Sequence, residues 1–114
     1  MSTHATIFTL VNGEYNGIYV HSDGFIDSLG EILKTHYMNY NKVCELITHG
    51  SASYIDSNSS ESGFYHEWKN EELVIYTSND FNQFIDKYGE EFNYYFDQTM
   101  NKWICVQDKM MTLM

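Results

Sequence analysis

Apolar and β-branched residues concentrate in four segments of this chain whose pattern is typical of half-buried β-strands. Residues 6–11 and 14–21 flank an Asn-Gly pair, the dipeptide that best fits the positive φ angles of a type I′ hairpin turn. Residues 91–96 and 102–106 flank a polar turn in the same way. The pattern therefore predicts two antiparallel hairpins, one near each end of the sequence.

Three other segments carry apolar residues at intervals of three and four, the spacing that puts them on one face of a helix. The first predicted helix covers residues 27–38. A second, shorter helix follows Asn41 and ends at Gly50, which supplies a left-handed C-cap. The third helix carries an apolar stripe from Phe81 to Tyr88. Each helix therefore has a face suited to covering a sheet.

The middle of the chain has a different composition. Residues 52–55 and 72–77 are short strand candidates, and the serine-rich segment 56–63 predicts a mobile loop. The sequence has no internal repeat, so residues 1–114 are expected to form a single domain. The predicted fold is α+β: an antiparallel sheet of four or five strands with about three helices packed mainly on one face.

Composition is typical of a folded domain. Hydrophobic residues make up 43% and aromatic residues 17% of the 114 positions, which excludes a disordered chain. No apolar run reaches the ~20 residues of a membrane-spanning helix, and the first residues do not resemble a signal peptide. We therefore expect a cytoplasmic location without membrane association. Cys44 and Cys105 lack metal or redox spacing and are interpreted as buried apolar residues.

Net charge is the feature that most needs a functional explanation. The chain has sixteen Asp and Glu against six Lys and no Arg, a formal net charge of −10. Affinity for nucleic acid comes mostly from Lys and Arg that release counterions from phosphates, so direct nucleic-acid binding is disfavoured and a basic protein partner is favoured. The acidic residues around the predicted fourth strand and third helix form the predicted partner-binding set: Glu67, Glu71, Glu72, Asp86, Glu90 and Glu91.

One small group of residues has the composition of a reactive site. His21 and Asp23 lie at the end of a predicted strand, and His36 and Tyr37 lie on the helix that follows. Such a group can in principle hold a metal or a small ligand, or carry out acid/base chemistry. We prefer a structural interpretation, in which Asp23 accepts backbone N–H bonds and Gly24 adopts a positive φ angle. No catalytic residue, metal or cofactor is assigned.

The same region carries a resemblance to other proteins. From Gly17 to Tyr37 the chain reads G-I-Y-V-H-S-D-G-F-I-D-S-L-G-E-I-L-K-T-H-Y. This stretch resembles a group of small phage and bacterial proteins with the pattern Tyr, any residue, His, often Trp, Asp, Gly and an aromatic, then Gly, Leu and His-Tyr on the next helix. The segment 91–96 and Trp103 are similar as well. This chain has Ser22 where Trp is common, and it lacks basic residues that some members carry before the third helix.

The resemblance implies a phage or mobile-element origin, and small genes of that kind often encode proteins that interfere with host enzymes or immunity. The leading hypothesis is therefore a non-enzymatic, acidic phage-type accessory protein that binds and inhibits a nucleic-acid-handling or immune protein of the host. Its carboxylates would take the place of phosphates. The alternative hypothesis is a small-ligand or metal-binding module, or a hydrolase, built around the His21/Asp23 turn.

Overall fold

The computed structural model describes residues 3–114, which contain eight strands and four helices. The strands are β1 Ala5–Val11, β2 Glu14–Val20, β3 Ala52–Tyr54, β4 Gly63–Phe64, β5 Tyr76–Ser78, β6 Phe92–Asp97, β7 Lys102–Gln107 and β8 Met110–Leu113. The helices are α1 Leu29–His36, α2 Tyr40–Thr48, α3 Tyr65–Trp68 and α4 Phe81–Tyr88, with a 3₁₀ turn at Ser59–Glu61. Within residues 3–114, no helix combines the length and apolar character that a membrane crossing needs.

The eight strands form one mixed sheet. Its order is β4-β3-β2-β1-β6-β7-β8, and β5 pairs with β2. The β1–β6 and β2–β3 pairs are parallel, whereas the remaining pairs are antiparallel. The prediction of four or five antiparallel strands is therefore wrong. The strand patterns predicted the two hairpins, but they carried no information on the parallel pair that joins these hairpins into one sheet.

Helices cover both faces of this sheet. α1 and α2 pack on the face that carries Ile7, Ile18 and Tyr94, where the main hydrophobic core lies. α4 packs on the opposite face, where Phe84 stacks on Phe8 with ring centroids 4.4 Å apart. The prediction that the helices lie mainly on one face is therefore wrong. An apolar stripe shows which side of a helix is buried, but not which face of a sheet it covers.

Close packing of α4 depends on a glycine in β2. A Cβ atom on Gly17 would lie 2.5 Å from Cζ of Phe84 and 2.8 Å from the Ile7 carbonyl oxygen. Both distances are shorter than van der Waals contact. The absence of a side chain at this position is therefore what lets α4 approach the sheet.

Several local predictions agree with the structure. Asn12 and Gly13 have φ angles of 51° and 80°, as a type I′ turn requires. Gly50, with φ 82°, confirms the predicted left-handed C-cap of α2. The strand predicted at 72–77 is wrong for its first four residues, since β5 covers only Tyr76–Ser78. β8 was not predicted, because its four residues lack a polar alternation and the turn before it lacks glycine.

The turn after β2 differs from its prediction. Asp23 has a positive φ angle of 59°, whereas Gly24 does not have one. Gly24 instead lies against the chain that enters β1, where its N–H donates to the Thr3 carbonyl at 2.9 Å. Its own carbonyl accepts a hydrogen bond from the buried Tyr94 hydroxyl at 2.7 Å. Close backbone contact, and not a left-handed conformation, is therefore the reason for glycine at position 24.

A histidine bridge fixes α3 beside α2. One ring nitrogen of His49 bonds Glu45 at 2.6 Å, and the other bonds Glu67 on α3. The ring also stacks on Phe64, with centroids 4.6 Å apart. Burial lowers the pKa of His49, but the hydrogen bonds to Glu67 and Glu45 outweigh it and raise the pKa above the usual 6.5. For Glu45, burial raises the pKa, but hydrogen bonds from His49 and Ser59 outweigh it and lower the pKa below 4.5.

The first prediction concerns Gly24→Val. A Cβ atom at this position would lie 2.8 Å from the Thr3 carbonyl oxygen and 2.9 Å from the Ala5 Cβ. Because these atoms belong to the backbone or lie next to it, they cannot move aside cheaply, and we expect a loss of about 1–3 kcal/mol in the free energy of unfolding. Urea denaturation measures this loss. Thr77→Val, at an exposed position of β5, is the control and should change stability by no more than about 0.5 kcal/mol. Equal stabilities of the two variants would contradict the prediction.

The second prediction concerns pH. Because the pKa of His49 is raised in the folded state, its contribution to stability is complete below pH 6.5 and is lost as pH rises through the folded value. Because the pKa of Glu45 is lowered, its contribution is complete above pH 4.5 and is lost as pH falls through the folded value. The carboxylates of the bridge are about half exposed, so solvent screening keeps each contribution to about 1 kcal/mol or less.

We therefore expect the melting temperature of the parent protein to decline above pH 6.5 more steeply than that of His49→Gln. His66→Gln is the matched control, because the His66 ring bonds a backbone carbonyl instead of a carboxylate. A His49→Gln variant with the parent's pH profile would show that the bridge makes no contribution in this range.

Candidate functional site

Two histidines and a tyrosine meet at one end of the α4 face of the sheet. The hydroxyl of Tyr19 bonds Nδ1 of His21 at 2.8 Å, and it also bonds Nδ1 of His4. The two imidazole centroids are 4.5 Å apart, and all three side chains are half-buried. We call these three residues the His-Tyr-His cluster.

The hairpin register produces this cluster. β1 and β2 pair antiparallel with Ala5 opposite Val20 and Thr6 opposite Tyr19. One step further along the same register brings His4 opposite His21. Since the two-residue turn sets this register, the sequence contained a signal for the pairing.

Proton positions in the cluster are interdependent. The Tyr19 hydroxyl has one proton to donate, so it can donate to only one of the two Nδ1 atoms. The other imidazole must then donate its own Nδ1–H to the phenol oxygen. With neutral rings, His4 and His21 are therefore opposite tautomers, and a proton that enters one ring can be passed through the hydroxyl to the other. The arrangement is able to store or relay a proton.

The surroundings of the cluster are aromatic and acidic. Burial, with a smaller contribution from the nearby Glu90 carboxylate, raises the pKa of Tyr19 to about 12. Beside it, Tyr76 and Tyr88 stack with centroids 4.3 Å apart and ring planes 7° from parallel. Burial also raises the pKa of Tyr76, again with a contribution from Glu90. The neutral phenol form is therefore favoured for both Tyr19 and Tyr76.

The four residues of the predicted ligand site are dispersed. His21 belongs to the His-Tyr-His cluster on the α4 face. Tyr37 is buried in the core of the opposite face, where its hydroxyl donates to the Asp56 carbonyl at 2.8 Å. His36 is the exposed last residue of α1. The fold therefore does not bring His21 together with His36 and Tyr37.

Asp23 lies at a separate cavity of about 330 Å³, whose lining residues are Ser22, Asp23, Ser28, Leu29, Ile32, Tyr54, Ile55 and Asp56. Asp23 and Asp56 are both exposed there. Among residues 3–114, no group of three or more His, Cys, Asp or Glu side chains is placed to hold a metal ion.

The six carboxylates of the predicted partner-binding set are all exposed, but they have different neighbours. Glu67 is held by His49, and Glu71 and Glu72 follow α3. Asp86 lines a groove of about 330 Å³ together with Lys109. Glu90 lies near the His-Tyr-His cluster and, through its backbone, is bonded to Asn93.

Exposed apolar side chains lie near Glu67, Glu71 and Glu72 in the chain. Trp68, the last residue of α3, is 61% exposed and meets Tyr54 edge to face at 6.5 Å. Lys69 lies over the Trp68 ring at 5.2 Å. Leu73 and Val74 are exposed just beyond the acidic pair. We call this surface the α3 surface: Tyr54, Glu67, Trp68, Glu71, Glu72, Leu73 and Val74.

The sequence pattern around Trp68 predicts no role for this residue. The segment 65–70 showed neither helical nor strand periodicity, because α3 has only four residues. A tryptophan among glutamates in a segment without an amphipathic pattern was the available signal, since such a residue has no obvious core to enter.

The third prediction concerns metals. Both Nδ1 atoms of the His-Tyr-His cluster already bond the Tyr19 hydroxyl, so only the Nε2 atoms remain as metal ligands, and within residues 3–114 no third His, Cys, Asp or Glu side chain is placed to complete a site. Stoichiometric Zn²⁺ or Mn²⁺ should therefore leave the melting temperature unchanged, since a ligand stabilises only the state that it binds more tightly. Thermal melts of the parent, His21→Ala and Tyr19→Phe proteins provide the test. A rise of several degrees in the parent that disappears in His21→Ala would instead show a metal site.

Comparison with known proteins adds no relative to this description, because no protein-family model, curated protein or solved structure matches the chain.

Proposed function

We propose that this protein is a non-enzymatic accessory protein that binds a basic protein of a host cell and inhibits it, with the α3 surface as the contact. The target class is a nucleic-acid-handling or immune protein, and the encounter takes place in the host cytoplasm. The carboxylates of the α3 surface occupy sites on the target that otherwise receive phosphates.

The observation that carries the proposal is an exposed tryptophan, Trp68, with exposed glutamates at the neighbouring positions 67, 71 and 72 of the chain. Tryptophan is among the residues that most often dominate the binding energy of protein interfaces, where it fills a pocket on the partner. Trp68 is 61% exposed although its side chain is large and apolar. A side chain of this kind is stabilised when a partner removes it from water.

Charge indicates which partners fit this anchor. From Ser59 to Val74 the chain carries Glu61, Glu67, Glu71 and Glu72 but only one lysine, Lys69. A partner surface rich in Arg and Lys would meet a complementary potential here, and such complementarity speeds association and excludes acidic competitors. The net charge of −10 acts in the same direction at longer range.

Glu71 and Glu72 are the carboxylates to test first. Glu67 is bonded to His49, so its removal would also disturb the bridge that holds α3. Glu71 is anchored through its backbone, with its N–H donating to the Tyr65 carbonyl at 3.3 Å. Its side chain can therefore be changed without removing that hydrogen bond. Asp86, Glu90 and Glu91 belong to the wider acidic field in this proposal.

The fourth prediction concerns capture and its salt dependence. Affinity capture from bacterial lysate at about 0.05 M and about 0.5 M salt should yield a basic protein only at low salt, because added salt screens exposed charges. With that protein purified, Glu71→Gln combined with Glu72→Gln should associate severalfold more slowly and with a shallower salt dependence. Trp68→Ala should instead dissociate at least about tenfold faster. Surface plasmon resonance separates the two rates.

The matched control is Asp27→Asn combined with Asp108→Asn, which removes the same charge from exposed positions outside the α3 surface. This control should keep nearly the parent's rate constants. A competition experiment is the stricter test, because the captured partner must lose its DNA or RNA when this protein binds. A partner that holds both at once, and that binds the α3 variants as tightly as the parent, would refute the proposal.

A further inference from the structure

β8 leaves one edge of the sheet open. It is the last strand in the order, and among the strands of residues 3–114 only β7 pairs with it. All four of its residues are exposed, with Met110 at 73%, Met111 at 61% and Leu113 at 59%. Natural edge strands usually carry a charge, a proline or a bulge that prevents pairing with another chain, and β8 has none of these.

The backbone groups that point outward can be assigned from the register. The N–H of Met114 donates to the Trp103 carbonyl at 3.1 Å, which makes this a hydrogen-bonded pair of the β7–β8 ladder. Bonded and non-bonded pairs alternate in an antiparallel ladder. Thr112 opposite Cys105 is therefore bonded, whereas Met111 and Leu113 point their N–H and C=O groups away from β7. These free groups form the open edge.

We propose that a second copy of this chain pairs with this edge through its own β8, antiparallel and with the two-fold axis at Thr112. In this register Met111 of one copy pairs with Leu113 of the second copy and exchanges N–H and C=O bonds with it. Thr112 lies directly opposite Thr112 of the second copy. The two sheets become one continuous sheet across the axis.

Side chains match across this axis. Met111 and Leu113 are the residues that pair across the axis, and their side chains from both copies lie next to one another on the α4 face. On the opposite face, the threonine pair lies between methionines. Apolar pairs and Thr–Thr pairs are both favourable across antiparallel strands. A strand of this composition is thus complementary to itself.

Charge is the reason for choosing a second copy over another partner. Two molecules that each carry a net charge of −10 repel one another over most of their surfaces. β8 itself has no charged residue, and Asp108 and Lys109 in its turn cancel each other. A basic partner gains no complementary charge here, whereas a second copy avoids the repulsion that it meets at the acidic surfaces.

The fifth prediction is a register-specific cross-link. Residues of a hydrogen-bonded antiparallel pair have Cα atoms about 5.5 Å apart, within the range of roughly 4.4–6.8 Å that a disulfide spans. A mixture of Met111→Cys and Leu113→Cys proteins should therefore form a covalent dimer under mild oxidation. Either variant alone should form little, because identical positions lie diagonally across the axis at about 7–8 Å. Gel electrophoresis without reductant measures the yield.

Solution association tests the same axis independently. In sedimentation velocity, the dimer fraction of the parent protein should rise with protein concentration up to about 1 mM. Thr112→Lys puts two like charges directly opposite one another and should weaken the dimer by roughly tenfold or more. Thr77→Lys makes the same substitution at an exposed position of β5 and should dimerise like the parent. Circular dichroism confirms that both variants are folded.

Two results would overturn the proposal. One is a parent that stays monomeric throughout the concentration range. The other is a dimer that Thr112→Lys leaves intact, or a mixed-cysteine cross-link no stronger than that of each variant alone. The α3 surface is unchanged in all these variants, so the outcome is independent of the partner-binding proposal.

Discussion

The parallel pairing of β1 with β6 is the constraint on which the rest of this structure depends. It joins Thr6 and Asn93, which are 87 positions apart, through a buried hydrogen bond of 2.6 Å from the threonine hydroxyl to the amide oxygen. The Asn93 amide also donates to the carbonyls of Val106 and Glu90 at 3.0 Å each. A buried polar network is stabilising only when its members are all bonded, so a shifted β6 would leave several groups unpaired. One side chain therefore sets the register of the sheet centre.

That pairing also arranges the surfaces. With β1 between β2 and β6, the two terminal hairpins form one sheet. Both faces of this sheet carry apolar side chains, so each face must be buried under different helices. α1 and α2 supply one cover and α4 supplies the other. The backbone of Glu90 is bonded to Asn93, so the same network fixes the position of the backbone from which the Glu90 side chain extends near Tyr19.

Charged and uncharged surfaces lie at opposite ends of the strand order. α3 follows β4 directly at one end, and β8 is the strand at the other end. Carboxylates near the first end repel a second copy of the chain, whereas the uncharged edge at the second end does not. Pairing through β8 would leave two α3 surfaces free, far from the two-fold axis. The two proposed contacts are therefore compatible in one assembly.

The sequence by itself determined what depends on neighbours along the chain. The Asn12-Gly13 turn defines the first hairpin and its register, and that register already placed His4 opposite His21. The period of the apolar residues determined the buried sides of α1 and α4, because the same few residues set the pattern and form the element. The α+β class and the acidic character were readable for the same reason.

Only the tertiary structure decided which distant segments meet. Parallel pairing of β1 with β6 leaves no signal in either strand's own pattern, so a purely antiparallel sheet was the simpler prediction. The turn sequence predicts a positive φ angle at Gly24, because the contact with Thr3 that explains this glycine leaves no signal in the local sequence. His21 and Tyr37 were grouped by proximity along the chain, yet they lie on opposite faces of the sheet. Faces, edges and sites arise from contacts between residues far apart in sequence, and periodicity does not record such contacts.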